Sequence, residues 1–190
     1  MTEKILILKF YLPFIFLAII FMGPILNFIM FSNRNTLNTY WSFFINNFNF
    51  ADLMALTFIL FTVIFLFSYY FSEKIACKPA IILSTIFIGY NCIYAGFSWT
   101  WEIYFLTFVL TGATVGFLIP MILKLIRNSI NMERRKNYHN LVFPISILVW
   151  ILIEIIAFTL LGPHSWKIIY IVIGIISIAI SPLPLIVKTS

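Results

Sequence analysis

Charged residues are scarce in this chain of 190 residues. Only 9% of the positions are Asp, Glu, Lys or Arg and 63% are hydrophobic, so a soluble domain of this size would have too little polar surface to present to water. This composition excludes a soluble globular domain and indicates that lipid covers most of the chain. The net charge of +6 is then explained by membrane topology and anionic lipid, without nucleic acid.

The residues that build catalytic and metal sites are also few. Of the two cysteines and two histidines, Cys77 and Cys92 do not have metal-ligand spacing, and His139 and His164 lie too far apart to share an ion. The sequence contains no Ser/His/Asp arrangement, no glycine-rich phosphate loop and no pair of membrane carboxylates. These absences predict a protein that is not an enzyme and that uses no metal or cofactor.

Long apolar runs make up most of the sequence. A bilayer core about 30 Å thick needs about 20 helical residues, and six blocks reach that length. Strands of a β-barrel would be only about 10 residues long and would alternate in polarity. We therefore predict an all-α polytopic membrane protein with a single domain over residues 1–190. Its six transmembrane helices are expected at about residues 10–31, 52–71, 79–97, 103–123, 141–161 and 168–187.

The basic residues predict the orientation of these helices. With a cytoplasmic N-terminus, ten of the 12 Lys and Arg residues fall on the inner side, as the positive-inside rule expects of an even number of helices. Both termini are then cytoplasmic, and the cell membrane is the expected location. The inner residues are Lys4, Lys9, Lys74, Lys78, Lys124, Arg127, Arg134, Arg135, Lys136 and Lys188, and the outer residues are Arg34 and Lys167.

The connection between the second and third predicted helices resembles a known signature. Residues 69–79 read YYFSEKIACKP, which is similar to the G-x-x-x-D-R-x-G-R-[RK]-P segment between helices 2 and 3 of the major facilitator superfamily. Glu73 takes the acidic position, Lys74 and Lys78 take basic positions, and Pro79 opens the next helix. The departures from the signature are Tyr69 and Ala76 in place of glycine and Cys77 in place of arginine. This short connection also predicts that helices 2 and 3 are antiparallel neighbours.

Three further segments resemble the same family in the same order. Residues 110–120, LTGATVGFLIP, are similar to its fourth helix, where a glycine-rich stretch leads to a proline. Residues 132–135, MERR, are similar to the Glu-Arg pair before helix 5, and Trp166-Lys167 stands where the family often has Trp-Arg. The resemblance covers essentially the whole chain and implies the N-terminal six-helix half of a facilitator.

Two departures from the family pattern disfavour drug–proton antiport in its usual form. Phe108 lies four residues before Gly112, where many proton-coupled members have an arginine. Helix 5 has bulky residues at 149–156 and lacks the G-x-x-x-G-P run of family antiporters. Proton coupling through that arginine is therefore not expected.

A six-helix half cannot enclose a pathway alone, because the two halves of this family are parallel repeats that face each other. The chain is therefore expected to be a half-size transporter that moves an unknown small solute by alternating access, as a homodimer. Two alternatives remain open. One is the N-terminal piece of a split or truncated facilitator, which needs a second six-helix half. The other is an accessory or scaffold membrane protein without transport.

The few polar residues inside the predicted helices are candidates for a solute or ion pathway. Glu154 lies near the middle of helix 5, where a charged side chain costs about 2.5–3.5 kcal/mol. Trp150 is one turn earlier on the same face, so the pair predicts a cavity patch for a cation or proton. A protonated glutamate bonded to a neighbouring helix is the alternative. Asn27 and Thr111 complete the candidates, although the Thr111 hydroxyl is also expected to bond its own helix.

Residues near the inner ends are candidates for a gate. The family resemblance implies that Glu73 pairs with a basic residue near the end of helix 4, either Arg127 or Arg134, and restrains opening on the inner side. Lys74 and Lys78 belong to the same candidate gate. The alternative is a solvated turn whose charges only set the topology.

The fourth predicted helix also carries a face of small residues. Gly112 and Gly116 are four positions apart, which predicts a close contact with a neighbouring helix.

Overall fold

The computed structural model describes residues 50–97, 101–129, 148 and 166–186, and the regular structure in these residues is all helical, as predicted. The α-helices are α1 (Phe50–Phe71), α2 (Cys77–Gly96), α3 (Trp101–Ser129) and α4 (Trp166–Ile180). Short 3₁₀ helices follow α1 and α4, at Ser72–Lys74 and Leu183–Leu185. The helix predicted at residues 10–31 lies outside the described residues, as does that at 141–161 apart from Leu148.

Three of these helices, α1, α2 and α3, are long and apolar enough to cross a bilayer. They contain 22, 20 and 29 residues, and about 20 residues of α-helix span the hydrocarbon core. Helix α4 is also apolar but has 15 residues. The described part of the chain therefore contains three candidate membrane spans and one shorter apolar helix.

Helices α3 and α4 end at different places from those predicted. Helix α3 was expected to end at residue 123 with its apolar run, but it continues to Ser129, because the backbone bonds of a helix do not require apolar side chains. Helix α4 was expected to reach residue 187 but ends at Ile180. Pro182 has no N–H to bond Ile178, whose carbonyl oxygen instead accepts bonds from the Ser181 amide and hydroxyl at 3.2 and 2.8 Å.

The helices pack in the order α1, α3, α2, α4. Helix α3 packs against both α1 and α2, and α2 packs against α4 on its other side. Helix α1 makes its main contact with α3, although a short turn joins it to α2. The predicted antiparallel neighbours, α1 and α2, are therefore consecutive in sequence but do not pack closely against each other. The core lies between α2 and α3. Its largest fully buried apolar side chains include Ile81, Leu118, Met121, Ile122 and Ile126.

Glycines bring α1 and α3 into close contact. A Cβ atom added at Gly116 would lie 2.5 Å from the carbonyl oxygen of Phe61, and one added at Gly112 would collide with the methyl group of Thr57. Both contacts join residues 55 positions apart in sequence, which shows that the two helices run parallel. The small-residue face predicted at these glycines is the face that contacts α1.

Helices α2 and α4 also meet through glycine, and here the helices are antiparallel. A Cβ atom at Gly89 would lie 2.7 Å from the carbonyl oxygen of Gly174, and one at Gly174 would lie 2.6 Å from that of Gly89. Farther along, a Cβ atom at Gly96 would lie 2.8 Å from the carbonyl oxygen of Lys167. Neither helix has room for a side chain at these positions.

Candidate functional site at the basic turn

The short connection between α1 and α2 is a polar region with an ion pair and several hydrogen bonds to α3. We call residues 72–76 the basic turn. It begins with the 3₁₀ helix Ser72–Lys74 and becomes extended at Ile75. Lys124 and Arg127 of α3 lie against it, three residues apart and hence on one face of their helix. The continuation of α3 beyond its apolar run places both cations there.

Glu73 and Arg127 form an ion pair across this end of the helices. The Arg127 Nη2 atom donates a hydrogen bond to the Glu73 Oε1 atom. This bond and the positive charge of Arg127 lower the pKa of the Glu73 carboxyl group, so the carboxylate stays ionised at neutral pH. Of the two partners expected for Glu73, the structure places Arg127 in contact, whereas Arg134 lies outside the described residues. The gating role of the pair stays a prediction.

Both side chains of this ion pair are substantially exposed, with 49% of Arg127 and 65% of Glu73 accessible. Exposed ion pairs contribute little to the free energy of folding, because water screens them. The pair therefore adds little to the stability of the fold and can be broken at a small cost in free energy.

Lys124 makes a more elaborate contact with the same turn. Its Nζ atom donates to the backbone carbonyl oxygens of Ser72, Glu73 and Ile75, at 2.6, 3.1 and 3.0 Å. An ammonium group has three N–H donors, and the three acceptors use all of them. We call this arrangement the carbonyl clamp. Sequence reasoning missed it as a site, and the available signal was a lysine one turn before Arg127 on the same face of α3.

The two lysines predicted beside Glu73 occupy the same end of the helices. Lys74 is exposed, and its ammonium nitrogen lies 5.8 Å from the centre of the Phe71 ring, within the range of a cation–π contact. Lys78 is the second residue of α2 and is partly exposed. The structure thus brings together four of the predicted gate residues, Glu73, Lys74, Lys78 and Arg127.

An open apolar groove lies farther along the helices, between α1 and α2 and over α3. Its volume is about 670 Å³. Thr114 is one of its few polar residues, and the Thr114 hydroxyl donates to the Leu110 carbonyl oxygen at 2.7 Å. The groove is lined by Ile64, Leu83, Ser84, Ile86, Phe87, Tyr90, Leu110, Ala113, Thr114 and Phe117. Such a lining suits an apolar or amphipathic molecule rather than an ion.

The predicted pathway residues are not brought together by the described part of the structure. Thr111 is buried, does not line the groove, and donates its hydroxyl to the Thr107 carbonyl oxygen at 2.7 Å, as expected for a threonine in an apolar helix. Asn27, Trp150 and Glu154 lie outside the described residues and stay predictions. Among the residues that are described, no group of three His, Cys, Asp or Glu side chains is placed to hold a metal ion.

Comparison with known proteins provides no family for this chain. No protein-family model matches the sequence, and no curated protein matches it significantly. The resemblance to facilitators therefore depends on the four sequence segments described above.

Proposed function

We propose that this chain is a half-size membrane transporter of the major facilitator type, which translocates a small solute by alternating access as a homodimer. The observation that carries the proposal is the ion pair between Glu73 and Arg127. The family resemblance implies an acidic residue in this turn and a basic partner near the end of the fourth predicted helix, which corresponds to α3. The exposed ion pair joins Glu73 to Arg127 at these two positions, and such a pair can form and break as the helices move.

The packing of α1 on α3 supports the same proposal. The two helices run parallel, touch at Gly112 and Gly116, and are joined again at the basic turn. Contacts in the middle of α3 and near its C-terminal end hold the two helices together as one unit. Rocking of rigid units against each other is how alternating access proceeds in this family. The apolar groove favours an apolar or amphipathic solute.

The proposal requires a second half with the same orientation. Two copies of one chain fulfil this requirement, because a two-fold axis along the membrane normal relates parallel repeats. We place the protein in the cell membrane with both termini cytoplasmic, which puts Glu73 and Arg127 on the inner side.

The oligomeric state in a native-like bilayer tests the proposal. The protein, expressed alone and extracted into lipid nanodiscs, is expected to give a dimer in native mass spectrometry and a single crosslinked species of twice the monomer mass. Preparation at a tenfold lower ratio of protein to nanodiscs controls for chance encounters in one disc. Only monomer under these conditions would contradict the homodimer. Co-purification with a different six-helix chain from the native membrane would instead support the split facilitator.

A further inference from the structure

In the carbonyl clamp, the Lys124 side chain of α3 bonds the turn that joins α1 to α2. The backbone leaves helical geometry at Ile75, so the carbonyl oxygens of the basic turn cannot receive the regular bonds of a continuing helix. Lys124 is only partly exposed and supplies three N–H donors from α3. Its positive charge also lies at the C-terminal end of α1, where the helix dipole favours a cation.

The buried residue Cys77 directly follows this turn. Cys77 begins α2, two residues after the Ile75 carbonyl that Lys124 bonds, and only 8% of it is accessible. Its thiol is free of any disulfide. Movement of the turn away from α3 would carry the first residues of α2 with it and expose this thiol to water.

We propose that Lys124 is the positioning residue that keeps the basic turn against α3, and that the Glu73–Arg127 ion pair forms because the clamp has already fixed the backbone of Glu73. The clamp is the stronger connection, since it makes three charge-assisted bonds to a partly buried ammonium, whereas the ion pair is exposed on both sides. This inference concerns the conformation of the turn and is independent of transport.

The chemistry of the clamp is specific to lysine. An ammonium on a flexible stem directs three hydrogens at three acceptors around one point, whereas a guanidinium presents a planar fork that suits a carboxylate. Lys124→Arg is therefore expected to restore the charge without restoring all three bonds. Lys124→Met keeps the length of the side chain and removes both the charge and the bonds.

The rate at which Cys77 reacts with a water-soluble maleimide measures how often the basic turn moves away from α3. The full chain in lipid nanodiscs carries Cys92→Ala, which leaves Cys77 as the single thiol. Lys124→Met is expected to increase the labelling rate at least about tenfold, because loss of charge-assisted bonds raises the population of the open turn. Lys124→Arg should give an intermediate rate. Arg127→Met, the matched control, removes a cation one turn away and should change the rate less than about twofold.

The comparison of the two variants separates the clamp from a simple charge effect. Lys124→Met and Arg127→Met each remove one cation from the same face of α3, but only the first removes the three bonds to the backbone of the turn. An unchanged or lower rate in Lys124→Met would overturn the proposal, and so would an equal increase in Arg127→Met.

A second measurement distinguishes release of the turn from loss of the fold. In a Cys77→Ala background the remaining thiol is Cys92, which is 2% accessible within α2. This thiol is expected to stay protected in Lys124→Met. If Cys92 becomes as reactive as Cys77, then Lys124 holds the whole helix pair together and the proposed local role is wrong.

Discussion

At the scale of single residues, Glu73 is expected to make the contact with Arg127 sensitive to acid. Arg127 lowers the pKa of the Glu73 carboxyl group below the ordinary value for glutamate, which is about 4.3. The stabilisation that the ion pair provides is therefore complete above that ordinary value. It is lost as the pH falls through the lower pKa of the folded protein, because protonation removes the charge.

Thermal unfolding of the parent protein and of Glu73→Gln, compared from neutral to acid pH, tests this expectation. The glutamine variant should unfold at a slightly lower temperature near pH 7. The difference should shrink once the pH falls below the ordinary glutamate value of about 4.3, and it should disappear below the lower pKa of Glu73 in the folded protein. Comparison of the two proteins at each pH cancels the effects of other titrating groups. Arg127→Gln should reproduce the result. A difference that persists in acid would show that Glu73 acts through packing rather than charge.

At the scale of helices, the glycines of α3 set how closely it approaches α1. A side chain at Gly116 would meet the backbone of Phe61, which cannot move without shifting α1. Of the three nearest atoms to a side chain added at Gly112, only the methyl group of Thr57 would lie too close, because the backbone oxygen and Cβ atom of Thr57 would be at ordinary contact distances of 3.6 and 3.7 Å. Gly116→Ala is therefore expected to destabilise the protein by about 1–3 kcal/mol, and Gly112→Ala by less.

The Thr57 side chain provides a matched test of this difference. Thr57→Ser removes the methyl group that Gly112→Ala would strike and keeps the hydroxyl group. It should therefore rescue Gly112→Ala but leave the defect of Gly116→Ala unchanged, as measured by unfolding in a double-mutant cycle. Equal rescue of both variants would show that α1 shifts as a whole, and that the Phe61 backbone does not fix the distance between the helices.

Local sequence patterns predict the positions of the described helices well, but they do not predict which helices pack against each other. The apolar runs predict where α1 and α2 lie to within about two residues at each end, because lipid and backbone bonding impose the same length. They do not predict the end of α3, since Lys124 and Arg127 continue the helix beyond the apolar segment. Which helices touch depends on where glycines meet in space, and a sequence does not show that Gly89 faces Gly174.

The candidate site was predictable where it depends on charge and unpredictable where it depends on the backbone. The family resemblance implied that Glu73 pairs with either Arg127 or Arg134, and Arg127 is the one in contact with it. The role of Lys124 could not be predicted, because its acceptors are main-chain oxygens that every residue possesses. Only their convergence in three dimensions identifies the clamp.

At the scale of the whole molecule, the described helices expose extensive apolar surface. Phe58 is 69% accessible and Tyr70 is 80% accessible, and α1 makes its main contact with a single neighbour. Soluble proteins rarely expose apolar patches of this extent. Lipid or further helices must cover these faces, which supports the proposed integral membrane location.

The basic residues of the described helices are concentrated at one end of the helices. The described basic residues at one end are Lys74, Lys78, Lys124 and Arg127, whereas Lys167 lies beside Gly96 near the other. The positive-inside rule predicts that the first end is cytoplasmic, as in the proposed orientation. This assignment predicts which exposed positions react with reagents outside the cell.

Two single-cysteine proteins test the orientation, each in a background of Cys77→Ala and Cys92→Ala. Lys74→Cys lies at the end with four cations, and Phe97→Cys lies at the opposite end of α2, where the parent residue is 60% accessible. In intact cells an impermeant maleimide should label Phe97→Cys and not Lys74→Cys, and in inside-out vesicles the preference should reverse. Detergent-solubilised protein, in which both positions should react, is the control for reactivity. The opposite pattern in cells would invert the topology, and it would place Glu73 and Arg127 on the outer side, where they could not act as the proposed inner gate.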